Sequence, residues 1–180
     1  MPEGDLWVFG YGSLMWDPGF DYLRAAPALL RGYHRAFCVY SVRFRGTPEQ
    51  PGLVLGLDRG GACRGIAFLV AAAKVDEMTR RLWAREMSRL VYRPRLVPVE
   101  VVSRKVQALA FLADPRHAAY AGRLELDHVA STIAVCSGAG GPNIEYLENT
   151  LRHLDELGIR EGRLHEILRA VRAKCAPPAS

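Results

Sequence analysis

The amino-acid sequence predicts a single α+β domain, with strands in the first two-thirds of the chain and helices packed over them in the last third. Its 180 residues are 49% hydrophobic and 24% charged, which is typical of a globular domain that buries about 70% of its extended surface. Apolar and β-branched runs separated by turn residues predominate up to about residue 112. Helical periodicity predominates from about residue 127. We expect the core to cover about residues 5–170 of a domain spanning 1–180, with a loose tail over 176–180.

The strand region contains one isolated strand, one interrupted strand and two hairpins. The predicted strands cover residues 5–10, 27–42, 53–57, 63–70, 95–102 and 105–112. Gly32 interrupts the second of them. Asp58–Gly61 has a typical turn composition and predicts a hairpin between residues 53–57 and 63–70. A second hairpin is predicted across Ser103–Arg104.

Four helices are predicted from apolar spacing and from the residues that begin and end them. They cover residues 74–87, 127–136, 143–157 and 161–174. Asn143 is the predicted N-cap of the third helix, and Gly158 ends it. On the third helix one apolar stripe is formed by Ile144, Leu147, Leu151 and Leu154. Helices of this kind complete an α+β domain by covering a sheet.

Composition and charge exclude several classes of function. The four cysteines, Cys38, Cys63, Cys136 and Cys175, are far apart, so we expect no metal or redox site, no cofactor, and reduced thiols in the cytoplasm. No apolar run approaches the roughly 20 residues of a membrane span, and the acidic N-terminus does not resemble a signal peptide. The net charge of +5 comes from scattered arginines, which favours a small anionic substrate over nucleic acid. Oligomeric state is not indicated.

Glu86 occupies an unexpected position on the first predicted helix. Val75, Met78 and Leu82 share one face of this helix, and Glu86 follows on the same face. Burial disfavours a charged carboxylate, so three interpretations are open. The helix ends before residue 86, or the carboxylate pairs with Arg45 or Arg93, or Glu86 is a proton-transfer group whose pKa is raised toward neutrality.

The stretch FGYGSLMW, residues 9–16, follows the first predicted strand. One interpretation is a tight turn in which Gly10 and Gly12 supply positive φ angles while Tyr11 and Leu14 pack inward. The other is a loop whose N–H groups bind an anion where glycine permits close approach. The lysine of a phosphate-binding loop and the third glycine of a dinucleotide fingerprint are both missing. Ser13 does not lie in a nucleophile elbow, so serine catalysis is not favoured.

Five segments together resemble the ChaC-type γ-glutamylcyclotransferases. They are FGYGSLMWDPGF at the start, RGYHRAF at 31–37, RGTPEQPGLVLGL, the REM around Glu86, and GPNIEYL at 141–147. The resemblance runs in order from about Trp7 to Leu168. It implies a small mixed β-barrel with helices packed around it.

The resemblance also implies a reaction and a set of site residues. The substrate is a γ-glutamyl peptide, glutathione by expectation, which yields 5-oxoproline and Cys-Gly when its own α-amine attacks its γ-carbonyl. Glu86 is the implied general acid and base. The implied substrate-binding residues are Gly10, Tyr11, Gly12, Ser13, Leu14, Met15 and Tyr146. Tyr146 has a second interpretation, a half-buried core tyrosine.

Two segments depart from the family pattern. SRLVY, residues 88–92, lacks a glycine pair before its tyrosine, and Arg43-Phe44 replaces an Asp-His pair. Both changes are expected to affect the half of the pocket that holds Cys-Gly, so cyclotransferase activity is implied more firmly than glutathione specificity. The alternative function is a non-catalytic module on the same fold that binds a small ligand or an acidic partner.

Overall fold

The structure is a computed structural model that describes residues 4–86 and 91–176, with Arg85 and Glu86 described by their backbone alone. The chain divides into two compact units. The first unit comprises residues 1–36 and 56–118, and the second comprises residues 37–55 and 119–180. The sequence-based expectation of one domain stays a prediction.

Five strands form a closed mixed barrel in the order β1-β3-β2-β4-β5. The strands are β1 Leu6–Gly10, β2 Arg24–Ser41, β3 Gly52–Val70, β4 Tyr92–Val101 and β5 Arg104–Ala113. β1 pairs parallel to β5 and antiparallel to β3, while β4 pairs antiparallel to both β2 and β5. The α+β class and the mixed barrel expected from the resemblance are therefore confirmed.

The described residues form four α-helices besides the barrel strands. They are α1 Val75–Glu86, α2 Leu126–Val135, α3 Asn143–Glu156 and α4 Gly162–Cys175. The helix α1 belongs to the first unit, and α2 to α4 belong to the second. Each begins and ends within about two residues of its predicted bounds, apart from Met87, which lies outside the described residues. In the described part of the chain, none of the helices is long and apolar enough to cross a membrane.

In the first unit, β1 is buried on both of its faces. Trp7 and Phe9 belong to one apolar cluster with residues of β2 to β5. Leu6 and Val8 belong to the other, which contains the apolar face of α1. Because successive strand residues point to opposite sides, this single short strand contributes to two cores. The end of β1 is thus held firmly on both sides.

The predicted hairpin at Asp58–Gly61 is wrong. Residues 52–70 form one continuous strand, β3, in which Gly60 and Gly61 have φ angles of +95° and +65°. The two glycines therefore distort the backbone of β3 locally without turning the chain. β2 lies alongside β3 in the barrel, and the His34 ring nitrogen Nδ1 lies 3.1 Å from the Gly60 carbonyl oxygen. Pairing with a neighbouring strand overrode the local turn preference.

The predicted break at Gly32 is a change of side-chain alternation within a continuous β2. Ala26, Ala28 and Leu30 are buried before Gly32, and Arg35, Phe37 and Val39 are buried after it. Gly32 has a φ of +83°, which L-residues rarely adopt. Cys38 is buried as well, so the strict alternation of buried and more exposed positions before Gly32 does not continue after it. The hairpin between β4 and β5 is confirmed, with its turn at Val102–Ser103.

In the second unit, Asn143 does not cap α3 as predicted. Its fully buried side chain accepts a hydrogen bond from the Leu53 N–H at 2.7 Å and donates one to the Leu53 carbonyl at 2.8 Å. The amide thus satisfies both backbone groups of a β3 residue, which a buried strand position requires. The helix end is as predicted, since Gly158 follows α3 with a φ of +69°.

Candidate active site

The candidate site in the first unit is the loop that follows β1, residues 10–15. A short 3₁₀ turn covers Ser13–Met15. Tyr11, Leu14 and Met15 are buried, whereas Gly12 and Ser13 are half-buried. The predicted inward packing of Tyr11 and Leu14 is confirmed. The positive φ angles expected at Gly10 and Gly12 are wrong, because Gly12 has a φ of −133° and Gly10 is not among the described glycines with positive φ.

Three successive carbonyl groups of this loop are hydrogen-bonded. The Tyr11 carbonyl accepts from Arg35 Nε at 2.5 Å, and the Gly12 carbonyl accepts from the Met15 N–H at 2.9 Å. The Ser13 carbonyl accepts from the N–H groups of Trp16 and Asp17, at 3.2 Å and 2.8 Å. In a trans peptide the carbonyl and the following N–H point in opposite directions. The N–H groups of residues 12, 13 and 14 are therefore oriented away from these partners.

This arrangement narrows the set of amides that can bind a ligand. The Met15 N–H is one of the amides expected to bind the substrate, but it already donates to the Gly12 carbonyl. The amides of residues 12–14 are the candidate donors that the structure orients, because the carbonyl of each of their peptide planes is held by a hydrogen bond. Successive N–H groups held in one turn are a known way of binding anions.

The two loop glycines are required for different reasons. A Cβ added at Gly10 would lie 3.2 Å from the Leu14 Cβ and 3.3 Å from the Met15 nitrogen, so packing explains that glycine. A Cβ added at Gly12 would meet no heavy atom within 4 Å in the described structure. Packing therefore does not explain the absence of a side chain at Gly12, whereas close approach of a ligand does.

Arg35 is the residue that the sequence analysis missed. Its side chain, on β2, is only 4% exposed and donates to the carbonyls of Tyr11 and Arg64, with Nη2 also 3.9 Å from the Met15 sulfur. A signal was available in the sequence, because Arg35 has the same strand parity as the apolar Phe37 and Val39.

The helix that carries Glu86 is confirmed up to that residue. Val75, Met78 and Leu82 form its buried face, with 6%, 1% and 1% of their surfaces exposed. α1 ends at Glu86, so the helix does not stop short of it. The Glu86 side chain lies outside the described residues, as do residues 87–90, which include most of the divergent SRLVY segment. Its proton-transfer role stays a prediction.

The two arginines considered as partners of Glu86 have other contacts. Arg45, in the second unit, donates to the carbonyls of Gly140 and Pro142. Arg93 donates to the Asp114 carboxylate at 2.5 Å. Burial raises the pKa of Asp114, but the Arg116 N–H and the Arg93 guanidinium outweigh it, so the pKa is lowered overall. Asp114 also donates its N–H to the Val91 carbonyl at 2.9 Å, which anchors the chain as it enters β4.

Tyr146 lies on α3 in the second unit. Its ring is half-buried, contacts Phe37 edge-on at 6.0 Å between centroids, and lies 5.4 Å from the Arg45 guanidinium carbon. Its hydroxyl accepts a hydrogen bond from the Leu55 N–H at 3.3 Å. These contacts match the interpretation of a half-buried core tyrosine, and a substrate contact by Tyr146 stays a prediction.

Comparison with solved structures identifies the fold. The crystal structure of a yeast γ-glutamylcyclotransferase specific to glutathione matches with a TM-score of 0.84, covering 96% of this chain and all of that one at 23% identity. The selenomethionine-labelled form of the yeast protein matches with a TM-score of 0.85, at 22% identity over 94% of this chain and 96% of that one. The fold is therefore that of the γ-glutamylcyclotransferases.

Sequence comparison identifies the family. Residues 6–174 match the ChaC-like protein family, and the chain belongs to that family. A relative from Escherichia coli, named glutathione-specific γ-glutamylcyclotransferase, is 36% identical over 94% of this chain and 74% of its own. Relatives from Danio rerio and Homo sapiens, both named glutathione-specific γ-glutamylcyclotransferase 1, are 39% and 35% identical over 81% of this chain, and 76% and 69% of theirs. The resemblance drawn from the sequence motifs is confirmed.

Proposed function

We propose that this protein is a γ-glutamylcyclotransferase that converts glutathione to 5-oxoproline and Cys-Gly. The observation that carries the proposal is its membership of the ChaC-like family over residues 6–174, with relatives from bacterium, fish and human that are named for this activity. The loop after β1 supports it, because residues 12–14 have oriented amides next to a glycine that packing does not require.

The reaction is an intramolecular transfer without a redox step. The α-amine of the γ-glutamyl group forms a bond to its own γ-carbonyl carbon, and the amide bond from that carbon to the cysteine nitrogen breaks. The ring that closes is 5-oxoproline. One proton leaves the α-ammonium group before attack, and a second leaves the same nitrogen as it becomes the ring amide. The cysteine nitrogen gains one proton as it departs and a second when free Cys-Gly becomes an ammonium ion. The enzyme therefore needs a proton carrier and a means of holding the two reacting groups together.

Glu86 is the proposed proton carrier. Its place at the end of α1 follows the buried face formed by Val75, Met78 and Leu82. A carboxyl group in apolar surroundings has a raised pKa, which suits a group that first accepts and then returns a proton near neutral pH. General acid–base catalysis of this kind contributes about 10²–10⁴-fold in rate.

The loop amides are the proposed anion-binding groups. The substrate presents an α-carboxylate, and its γ-carbonyl oxygen gains negative charge as the amine attacks. N–H groups already oriented in the free protein stabilise such charge without reorganisation. Holding the amine against the carbonyl in a productive geometry is worth about 7–11 kcal/mol in favourable intramolecular cases. Tyr146 is proposed as a further substrate contact, although its hydroxyl also holds β3.

A matched pair of glutamate variants tests this function. Glu86→Gln and Glu77→Gln make the same change on the same helix, and Glu77 pairs with Lys74 and Arg81 at the surface. With glutathione as substrate and 5-oxoproline as the measured product, we expect Glu86→Gln to lower kcat by about 10²–10⁴-fold. Glu77→Gln should stay within about twofold of the unmodified enzyme.

Substrate choice distinguishes the activity from its glutathione specificity. Glutathione, γ-glutamyl-alanine and γ-glutamyl-lysine share the γ-glutamyl half and differ beyond it. A preference for glutathione supports the full proposal, and equal turnover of all three supports only the cyclotransferase activity. No turnover of any of them, together with a simple binding isotherm for glutathione, would instead identify a binding module.

The cytoplasm is the proposed compartment. Its support is the state of the thiols, since none of the four cysteines forms a disulfide and three of them, Cys38, Cys63 and Cys136, are buried. Proteins of oxidising compartments more often pair such residues as disulfides.

A further inference from the structure

We propose that Arg35 is a positioning residue that sets the orientation of the Gly12 amide for catalysis. The inference rests on the proposed function and adds to it a residue outside the catalytic glutamate and the loop. Among the described residues of the chain, Arg35 and Asp114 are the charged residues that are buried. Burying a guanidinium is costly unless its hydrogen bonds are satisfied, so its contacts indicate its use.

The contacts of Arg35 converge on the loop and on β3. Nε donates to the Tyr11 carbonyl at 2.5 Å, and Nη2 donates to the Arg64 carbonyl at 2.7 Å. Nη2 also lies 3.9 Å from the sulfur of Met15. One planar group therefore ties both ends of the loop to a strand of the barrel. A lysine at this position has a single nitrogen and cannot reproduce the fork.

The bond to Tyr11 has a specific consequence for Gly12. The Tyr11 carbonyl and the Gly12 N–H belong to one peptide plane, and no described peptide bond is cis. Because a trans peptide directs these two groups oppositely, drawing the carbonyl toward Arg35 turns the Gly12 N–H away from it. This is the amide beside the open space that an added Cβ would fill. Arg35 thus acts on the substrate through the peptide plane.

The other two loop carbonyls are oriented without Arg35. The Gly12 and Ser13 carbonyls accept N–H groups from within the turn itself, namely from Met15, Trp16 and Asp17. The 3₁₀ turn therefore keeps its own hydrogen bonds when Arg35 is replaced, and the peptide plane between Tyr11 and Gly12 is the one released. A change at Arg35 should accordingly act on one amide donor rather than on the whole loop.

Variants at Arg35 test this role, with a matched control on the same strand. Arg31, which pairs with Glu100 and has 68% of its side chain exposed, provides Arg31→Lys and Arg31→Ala as controls. We expect Arg35→Ala to lower kcat about 100-fold, the lower end of the range for losing one oriented donor. Arg35→Lys should lower kcat less, by about 10-fold, because the lysine nitrogen can still reach one of the two carbonyls. Guanidinium ion at millimolar concentration should restore part of the kcat of Arg35→Ala, because it can occupy the vacated site. Loss of folding would not be reversed in this way.

A second readout does not depend on turnover. The amide ¹⁵N resonance of Gly12 and the carbonyl ¹³C resonance of Tyr11 report the hydrogen bond directly, and both should move in Arg35→Lys but not in Arg31→Lys. If these resonances and kcat are unchanged in a folded Arg35→Lys protein, the inference is overturned. If the unmodified enzyme turns over no γ-glutamyl compound and the resonances still move, the proposed function fails while the positioning role stands. If Arg35→Ala does not fold, Arg35→Lys alone decides the outcome.

Discussion

Replacing Gly12 with alanine separates a structural role of the loop from a functional one. The added Cβ would meet no heavy atom within 4 Å in the described structure, so folding should barely change. We expect the free energy of unfolding to stay within about 1 kcal/mol of the unmodified protein. Activity should fall, because the methyl group enters the space that the substrate is proposed to occupy.

The size of the loss follows from contact distances. A ligand oxygen bonded to the Gly12 nitrogen lies about 2.9 Å from it, and the same oxygen needs about 3.5 Å from a methyl carbon attached to the neighbouring Cα. Such a substrate must shift by a fraction of an ångström, and a shift of about 1 Å costs up to 10²-fold in rate. We therefore expect kcat/KM for glutathione to fall about 10- to 100-fold, or about 1.4–2.7 kcal/mol of transition-state stabilisation.

Two further alanine variants calibrate the result. At Gly65, an added Cβ would lie 2.2 Å from the Gly10 carbonyl oxygen and 2.8 Å from Phe9 Cζ. Gly65→Ala should destabilise the fold by about 1–3 kcal/mol, and each kcal/mol should lower Tm by about 2–4 °C. Gly162, the first residue of α4, has no neighbour within 4 Å of an added Cβ, so Gly162→Ala should leave both Tm and activity nearly unchanged. Thermal unfolding and initial rates on all three proteins measure both quantities. A Gly12→Ala enzyme with full kcat/KM would refute the assignment of this loop to the substrate.

Two other predictions concern stability. Asn143→Ala leaves the buried N–H and carbonyl of Leu53 without their hydrogen-bond partners at 2.7 Å and 2.8 Å. We expect the free energy of unfolding, measured by chemical denaturation, to fall by about 2–4 kcal/mol. The control is Asn149→Ala at an exposed position of the same helix, which should lower it by less than about 0.5 kcal/mol. Equal effects of the two variants would contradict the role given to Asn143. Asp114→Asn should lower Tm at neutral pH, because it removes the charge that pairs with Arg93. The folded pKa of Asp114 is lowered, so its contribution is complete above the ordinary aspartate value of 3.8 and is lost as pH falls from there through the folded pKa. The Tm difference between Asp114→Asn and the unmodified protein should therefore shrink below about pH 4, and a difference independent of pH would exclude this origin.

Helix positions and helix faces were predictable because they depend on local spacing. Val75, Met78 and Leu82 recur at helical intervals, so the buried face of α1 can be predicted without knowing which element packs against it. The strands were found for the same reason. The continuity of β3 was not predictable in this way, because Asp58–Gly61 has the composition of a turn. Only the pairing with the neighbouring β2 shows that the chain stays extended there.

Long-range hydrogen bonds account for what the sequence did not predict. Asn143 has the residue type of an N-cap, yet its partner is Leu53, 90 residues earlier in the chain. Arg35 likewise donates hydrogen bonds to the carbonyls of Tyr11 and Arg64, which lie 24 and 29 residues away from it in the sequence. A polar residue on a buried strand face signals that such a partner exists, but it does not name the partner.

The loop after β1 combines two requirements that its composition reflects. Tyr11, Leu14 and Met15 anchor it by burial, which explains why a turn at the end of a strand contains so many bulky apolar residues. Gly12 remains without a side chain between these anchors, and the carbonyls of Tyr11, Gly12 and Ser13 are all occupied by donors from the protein. An anion is repelled by carbonyl oxygens, so a loop that binds one must direct them elsewhere. The buried arginine and the 3₁₀ turn do this together, and the amides of residues 12–14 are what the loop can then offer to a γ-glutamyl group.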